Sequence, residues 1–238
     1  MKRFLLVFLM LALLLTCTAC GNDNEGDETT AEPAPTTPAV KMEDLDFSEI
    51  VASGYAVTED VTDIVKINVS YTDQNGIDCT GDIYVRLFAE VAPITVQNFQ
   101  KLVKNDFYTN KVFHRVYKNF MIQGGAPSSS AESTDPIKGE FTSNGFKNNL
   151  KHVRGVISMA RTNDPDSASS QFFIMHAESY PSLDGNYASF GYVVCGMETV
   201  DGIANTDVRA NPNMNYEMSR PVNTVTINDI SFVKPISA

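Results

Sequence analysis

From Val61 onward the chain reads as short runs of alternating polarity. Val65 to Tyr71 alternates, and the run from Gly81 to Phe88 puts Ile83, Val85 and Leu87 on one face, the period-two signature of half-buried strands. Between them Asp73-Gln74-Asn75-Gly76 carries the Asn-Gly signal of a tight hairpin. The period then changes. Pro93 stands where a helix can begin, and Val96, Phe99, Leu102 and Val103 recur at helical spacing as far as Asn105. Further strands are predicted at Val112–Val116, Met121–Gln123, Val156–Met159, Phe172–Met175, Phe190–Val194 and Thr224–Val233, with a short helix over Glu198–Asn205. Short strands, two helices and no βαβ rhythm predict a mainly β fold, a closed antiparallel barrel. No internal repeat is visible.

The first 60 residues follow other rules. Lys2 and Arg3 precede an unbroken apolar run from Phe4 to Leu15, too short for the ~20 residues of a membrane-spanning helix and suited to a signal-peptide core. Thr16-Cys17-Thr18-Ala19-Cys20-Gly21 then looks like a bacterial lipobox, with Cys20 as the residue to be lipidated. Cys17 departs from that pattern, which usually has Leu at this place. Residues 21 to about 40 are acidic and rich in Thr, Pro and Ala; such a segment buries too little apolar surface to offset its ordering entropy and is expected to be a disordered tether. The expected organisation is therefore a signal peptide over 1–19, a lipidated cysteine and acidic tether over 20–60, and a folded domain over 61–238. It implies an extracytoplasmic protein anchored to a bacterial membrane through lipid alone, and a monomer.

Charge sharpens this division. The chain of 238 residues has a formal net charge of −11, yet Asp23 to Asp60 holds eleven acids and one lysine, while Val61 to Ala238 holds 15 basic and 18 acidic residues. The acidity belongs mainly to the leader, and nothing supplies the basic face that nucleic-acid binding needs. His114, His152 and His176 lack ligand spacing, so no metal site or other cofactor is expected. Asp164-Pro165-Asp166 lacks the later glycine and glutamate of a calcium loop. Asp184 reads as turn chemistry. Cys79 and Cys195 could be free thiols or one disulfide; spacing alone does not decide.

Three segments carry candidate chemistry. Residues 113–125 read FHRVYKNFMIQGG, residues 155–174 read GVISMARTNDPDSASSQFFI, and residues 183–191 read LDGNYASFG. Taken singly, Arg115 would be a surface cation and Phe120, Met121 and Phe173 core residues. Taken together, the three resemble the cyclophilin family of peptidyl-prolyl cis/trans isomerases. The pattern F-H-R-x-x-x-x-F-M-x-Q-G-G is matched from Phe113 to Gly125, S-M-A and S-Q-F-F-I at Ser158–Ala160 and Ser170–Ile174, and L-D-G with F-G at Leu183–Gly185 and Phe190-Gly191. The resemblance spans about residues 64–234.

It implies an eight-stranded barrel capped by two helices and a site on the outer face. By that resemblance Arg115 is catalytic, donating to the proline amide nitrogen. Phe120, Met121, Phe173 and Leu183 would form the proline pocket. Gln123, Gln171 and the backbone near Ala160 and Arg161 would hold the rest of the peptide, and Tyr187 would pack where many members have His. Arg161 replaces an Asn, and Ser182 replaces a Trp that matters for cyclosporin, so weak cyclosporin sensitivity is expected. The expected partners are proline-containing peptides and unfolded exported proteins. The rival reading is a proline-peptide binding or chaperone module with little turnover, which would tolerate loss of Arg115; a purely structural lipoprotein would bind no peptide.

Overall fold

The computed structural model describes residues 41–47 and 54–236. The chain divides into two units, Met1–Thr37 and Pro38–Ala238, and every described residue belongs to the second. The signal peptide, Cys20 and the tether as far as residue 40 lie outside the described residues.

A short strand β1 (Tyr55–Val57) precedes the long pair β2 (Ile64–Thr72) and β3 (Asp78–Leu87), followed by helix α1 (Pro93–Lys104) and strands β4 (Lys111–Tyr117) and β5 (Met121–Gly124). Then come β6 (Val156–Met159), β7 (Phe172–Met175), β8 (Ser189–Cys195), helix α2 (Met197–Ala204), the pair β9 (Val208–Asn211) and β10 (Glu217–Pro221), and β11 (Thr226–Pro235). The strand order β11-β2-β3-β8-β6-β7-β5-β4 returns to β11 through a β11–β4 pairing. Eight antiparallel strands thus close a barrel and leave no long open edge. β1 adds to the outside of β11, with Tyr55 opposite Pro235.

The alternation read in the sequence is what lines this barrel. Ile83 and Val85 of β3 and Val65, Ile67 and Val69 of β2 are fully buried. An aromatic cluster fills the middle: the Phe99 ring of α1 lies 5.6 Å from Phe172, 5.3 Å from Phe190 and 5.1 Å from Tyr108. The predicted hairpin forms at Asp73–Gly76, where the Asp73 carboxylate accepts from the backbone N–H groups of Asn75 and Ile77, both at 2.8 Å, and Gly76 takes a φ of 78°.

Helix α1 begins at Pro93, as predicted, but has no cap of its own: Ala92 offers no side-chain acceptor. The buried carboxylate of Glu140 closes that end from another part of the chain, accepting from Ile94 N–H at 3.0 Å and Thr95 N–H at 2.7 Å. This satisfies two of the donors a helix start leaves open and sets a negative charge at the positive end of the helix dipole.

Two expectations need correction. The body starts before residue 61: Leu45 is buried, Phe47 meets Phe88 and Tyr192 edge-on, Arg86 pairs with Asp46 at 2.6 Å, and Tyr55 stacks on Tyr84. The sequence has some helical spacing over Met42–Val51, set among acids, and that was too little to extend the expected body ahead of Val61. The hairpin β9–β10 was also not foreseen, because its buried positions are Asn211, Ser219 and Pro221 and give no apolar alternation. Among the described residues no helix is long and apolar enough to cross a membrane.

Candidate functional site

Strand β4 carries an irregularity between Phe113 and Arg115 in its pairing with β5. The added residue lets Phe113 and Val116 both point into the core while Arg115 faces out directly opposite Gln123. The β4–β5 turn contains Asn119 at a φ of 63°, and it delivers Phe120 to the rim and Met121 to the floor. Gly125 then takes a φ of 75°, with the Ser170 carbonyl and the Tyr108 ring so close that a side chain there would collide. The second glycine of this segment is therefore structural, letting the chain turn beneath the site.

On the neighbouring strands, Phe173 of β7 stands opposite Gln123 of β5 and Ser158 of β6. Leu183 comes from a single 3-10 turn, Pro181–Leu183. Arg115, Phe120, Met121, Gln123, Ala160, Arg161, Phe173, Leu183 and Tyr187 line one hollow of about 240 Å³, and Met214 closes it. Gln171 joins through its side chain, whose oxygen accepts from Gln123 Nε2 at 3.0 Å, and its carbonyl accepts from Ala160 N–H at 2.9 Å. All the residues singled out from the sequence for a site thus come together, from stretches up to 72 positions apart in the chain. Met121 and Phe173 are 1% and 4% exposed, so they are core residues whose outer atoms also line the hollow.

The charged rim is more constrained than the sequence suggested. The Arg115 guanidinium donates through Nε to Glu217 Oε1 at 2.8 Å and through Nη2 to Oε2 at 2.9 Å. Its Nη1 points toward Gln123 Oε1, 3.5 Å away, and its plane lies 5.7 Å from the Phe120 ring centre. The arginine holds the Glu217 carboxyl below its ordinary value. Arg161 lies against the Tyr187 ring at 4.7 Å and the Phe141 ring at 5.0 Å, and its Nε and Nη1 donate to the Asn186 and Thr162 carbonyls. Its guanidinium is thus held along the wall of the hollow.

Under the floor, His152 is buried between Asp184 and Ser158. Its backbone N–H and ring Nδ1 reach Asp184 Oδ1 at 2.8 and 3.1 Å, and Nε2 lies 3.1 Å from Ser158 Oγ. A carboxylate can only accept, so Nδ1 carries the proton and Nε2 accepts from the serine. Serine, histidine and aspartate here match a hydrolytic triad in residue type only: Ser158 is fully buried in β6 and reaches no ligand. The His152 ring stacks 6.0 Å from Phe173, so the network braces the pocket floor. Asp184, read from sequence as turn chemistry, is also its anchor.

Three contributors escaped the sequence reading: Met214, Glu217 and Tyr180, whose ring lies 4.4 Å from Phe120. With Arg115, Tyr117, Lys118, Asn119, Phe120 and Glu217, Tyr180 lines a second hollow of about 420 Å³ on the far side of the arginine. The site is therefore two hollows sharing one rib, made of Arg115 and Phe120, with Glu217 on the side of the second hollow. No spacing rule could have joined Glu217 to Arg115, 102 positions away. A larger groove of about 480 Å³ lies elsewhere, lined by polar residues with Cys79 and Cys195 among them, and shares no residue with the site. Among the described residues no group of three or more His, Cys, Asp or Glu could hold a metal ion.

Comparison with known proteins shows the family to which this chain is similar. Residues 69–232 match the family model described as cyclophilin type peptidyl-prolyl cis-trans isomerase/CLD. A peptidyl-prolyl cis-trans isomerase of Acinetobacter baylyi is 42% identical over 149 residues, covering 60% of this chain and 74% of the relative. The human peptidyl-prolyl cis-trans isomerase-like 3 is 39% identical over 152 residues, 63% of this chain and 89% of the relative. Among solved structures, a cyclophilin type isomerase of Cryptosporidium parvum superposes with a TM-score of 0.54 at 27% identity, covering 72% of this chain and 99% of the other. The same protein has been crystallised in the presence of the dipeptide Ala-Pro, with a TM-score of 0.53 to this chain.

Proposed function

The chain belongs to the cyclophilin-type peptidyl-prolyl cis-trans isomerases, and from that premise we propose that Arg115 drives the rotation of X–Pro bonds in exported or cell-envelope proteins. The barrier to this rotation, about 18–20 kcal/mol, comes from amide resonance, and uncatalysed turnover takes tens to hundreds of seconds. Resonance weakens when the proline nitrogen becomes pyramidal and its lone pair is available. A guanidinium N–H aimed at that nitrogen favours this state more than the planar ground state, which is the condition for acceleration.

The observation that carries the reading is one of geometry: Arg115 stands over an apolar hollow of about 240 Å³ floored by Met121, Phe173 and Leu183, a size and polarity suited to a proline ring. With the ring held there, the acyl side is left to turn. Gln123 and Gln171, joined to each other at 3.0 Å, present amide groups to the peptide backbone. A single charge-assisted hydrogen bond is worth roughly 1.5–3 kcal/mol, while reaching milliseconds takes on the order of 6 kcal/mol. Holding the ring must supply the remainder.

The sequence of residues 1–60 supports a location. A short apolar core followed by a cysteine in a small-residue context suggests export and lipid attachment at Cys20, with the acidic stretch ahead of the packed Leu45 as a leash of about 20 residues. As a random coil it would reach about 25 Å on average. Clients would then be unfolded exported chains that expose X–Pro bonds, met by a monomer on the outer side of a bacterial membrane, with no cofactor taking part.

The test is a protease-coupled or NMR exchange assay of a soluble fragment on Ala-Pro peptides, with Arg115→Ala beside the wild type. The variant is expected to lose roughly 10- to 100-fold in kcat/KM, the equivalent of one charge-assisted hydrogen bond. Equal rates in the two proteins would overturn the role given to Arg115 and favour a peptide-binding module.

A further inference from the structure

We propose that Glu217 is a positioning residue for the isomerisation, and that the hairpin β9–β10 exists in this chain to aim Arg115 at the substrate. The inference rests on the catalytic role proposed for Arg115.

A guanidinium has five N–H donors. The Glu217 carboxylate takes the Nε proton and one from Nη2 in a flat, two-bonded contact at 2.8 and 2.9 Å. What remains is the opposite edge, and its Nη1 faces Gln123 and the hollow. Capture of one edge therefore fixes the direction of the other. Both partners are largely shielded, with the Arg115 and Glu217 side chains 16% and 25% exposed, so solvent competes weakly for the pair.

The hairpin is built to deliver this carboxylate. Immediately before Glu217, Asn215 and Tyr216 are both left-handed, with φ of 49° and 61°. That conformation is costly for a bulky residue such as tyrosine and persists only where its surroundings impose it. The Asn211 side chain accepts from Asn213 N–H at 3.2 Å, and the Asn211 carbonyl accepts from Tyr216 N–H at 2.9 Å. The buried Ser219 lies within hydrogen-bond reach of Asn211 Nδ2, tying the two strands together behind the loop. Strand β10 packs along β4, the strand that bears Arg115.

The consequence is kinetic. An arginine free to sample its rotamers must be ordered each time it engages a substrate, and this one is ordered beforehand. Its bond to the proline nitrogen strengthens only in the transition state, so the benefit belongs in kcat and not in KM. A carboxylate could instead act as a brake by weakening the guanidinium's field at the nitrogen. The two roles predict opposite signs.

The experiment measures kcat and KM separately on an Ala-Pro peptide for wild type, Glu217→Ala, Glu217→Gln, Arg115→Ala and the double variant Arg115→Ala with Glu217→Ala. Melting temperatures confirm that each is folded. Glu217→Ala is expected to lower kcat about tenfold with KM within about twofold. Glu217→Gln, which has the same shape and keeps one acceptor oxygen, should recover part of the loss. In the Arg115→Ala background, Glu217→Ala should change nothing further. The proposal is overturned if Glu217→Ala leaves kcat unchanged or raises it, if only KM moves, or if its effect is undiminished without Arg115. Full activity of Arg115→Ala would overturn the role of Arg115 itself, and the positioning role with it.

Discussion

His152 shows how much one buried side chain commits the molecule to. Burial pushes its pKa below the ordinary value of 6.5, and the neighbouring Asp184 only partly opposes that shift. His114 and His176 are lowered as well, again chiefly by burial. As pH falls below about 6.5, the unfolded chain takes up protons at these rings that the folded chain refuses, so folding must weaken. The carboxylates held low by their partners, among them Glu217 and Asp184, have ordinary values of 4.5 and 3.8. Their contribution is complete above about pH 5 and is lost only in more acid solution. The window from about pH 7 to about 5.5 therefore belongs to the histidines. Melting temperature should fall on going from about pH 7.5 to about 5.5, each kcal/mol being worth roughly 2–4 °C for a domain of this size. A flat or rising trend would contradict this account. The residue scale also separates what a sequence can and cannot say of function. Arg115, Phe120 and Gln123 were legible because they sit in one continuous segment. Glu217 was not, because its link to Arg115 exists only through the fold.

At the scale of elements, helix α1 depends on a residue outside itself. Its start was legible from Pro93 and the apolar spacing after it, but a Pro with no capping side chain at Ala92 leaves first-turn donors open. Glu140 supplies both bonds from full burial. Replacing it with Gln keeps the shape, removes the charge and turns one acceptor into a donor facing a donor. Glu140→Gln should cost about 2–3 kcal/mol, as the loss of a buried charge-assisted pair. Thermal denaturation should then show a drop of roughly 4–12 °C. Because α1 supplies no residue to the hollow, kcat/KM measured well below the melting point should stay near wild type. A melting temperature within a degree of wild type would show that the charge does not matter. Strands β6 and β7 were predicted to the residue, and β4, β5, β8 and β11 to within a residue or two, since a buried apolar run announces itself. β1, β9 and β10 were missed for the converse reason: they are short, and the positions they bury are mostly polar or only partly covered, so they carry no apolar period.

At the scale of the whole molecule, one family match over residues 69–232 sits inside a chain of 238, and the leader is what distinguishes its expected place in the cell. If Cys20 is lipidated, the wild-type chain expressed in a bacterium should partition into the detergent phase, and Cys20→Ser into the aqueous phase with unchanged isomerase activity. A wild-type chain found in the aqueous phase would remove the anchor from the proposal. The sequence pattern by itself determined a β-rich domain with two helices and its inward-facing residues, because alternation and helical spacing are local consequences of burying one face. The eight-stranded barrel followed from the family resemblance. Through the motifs the sequence also pointed to the family and to the residues around the hollow other than Met214. The tertiary structure decided what surrounds them. It brought Met214 and Tyr180 to the hollows, folded Arg161 onto Tyr187, and set Glu217 on Arg115. Each of these is a contact between segments far apart in the chain, fixed by barrel closure and by loops whose backbone hydrogen bonds have no sequence period. That is why the chemistry could be read along the chain, while its aim could be read only across it.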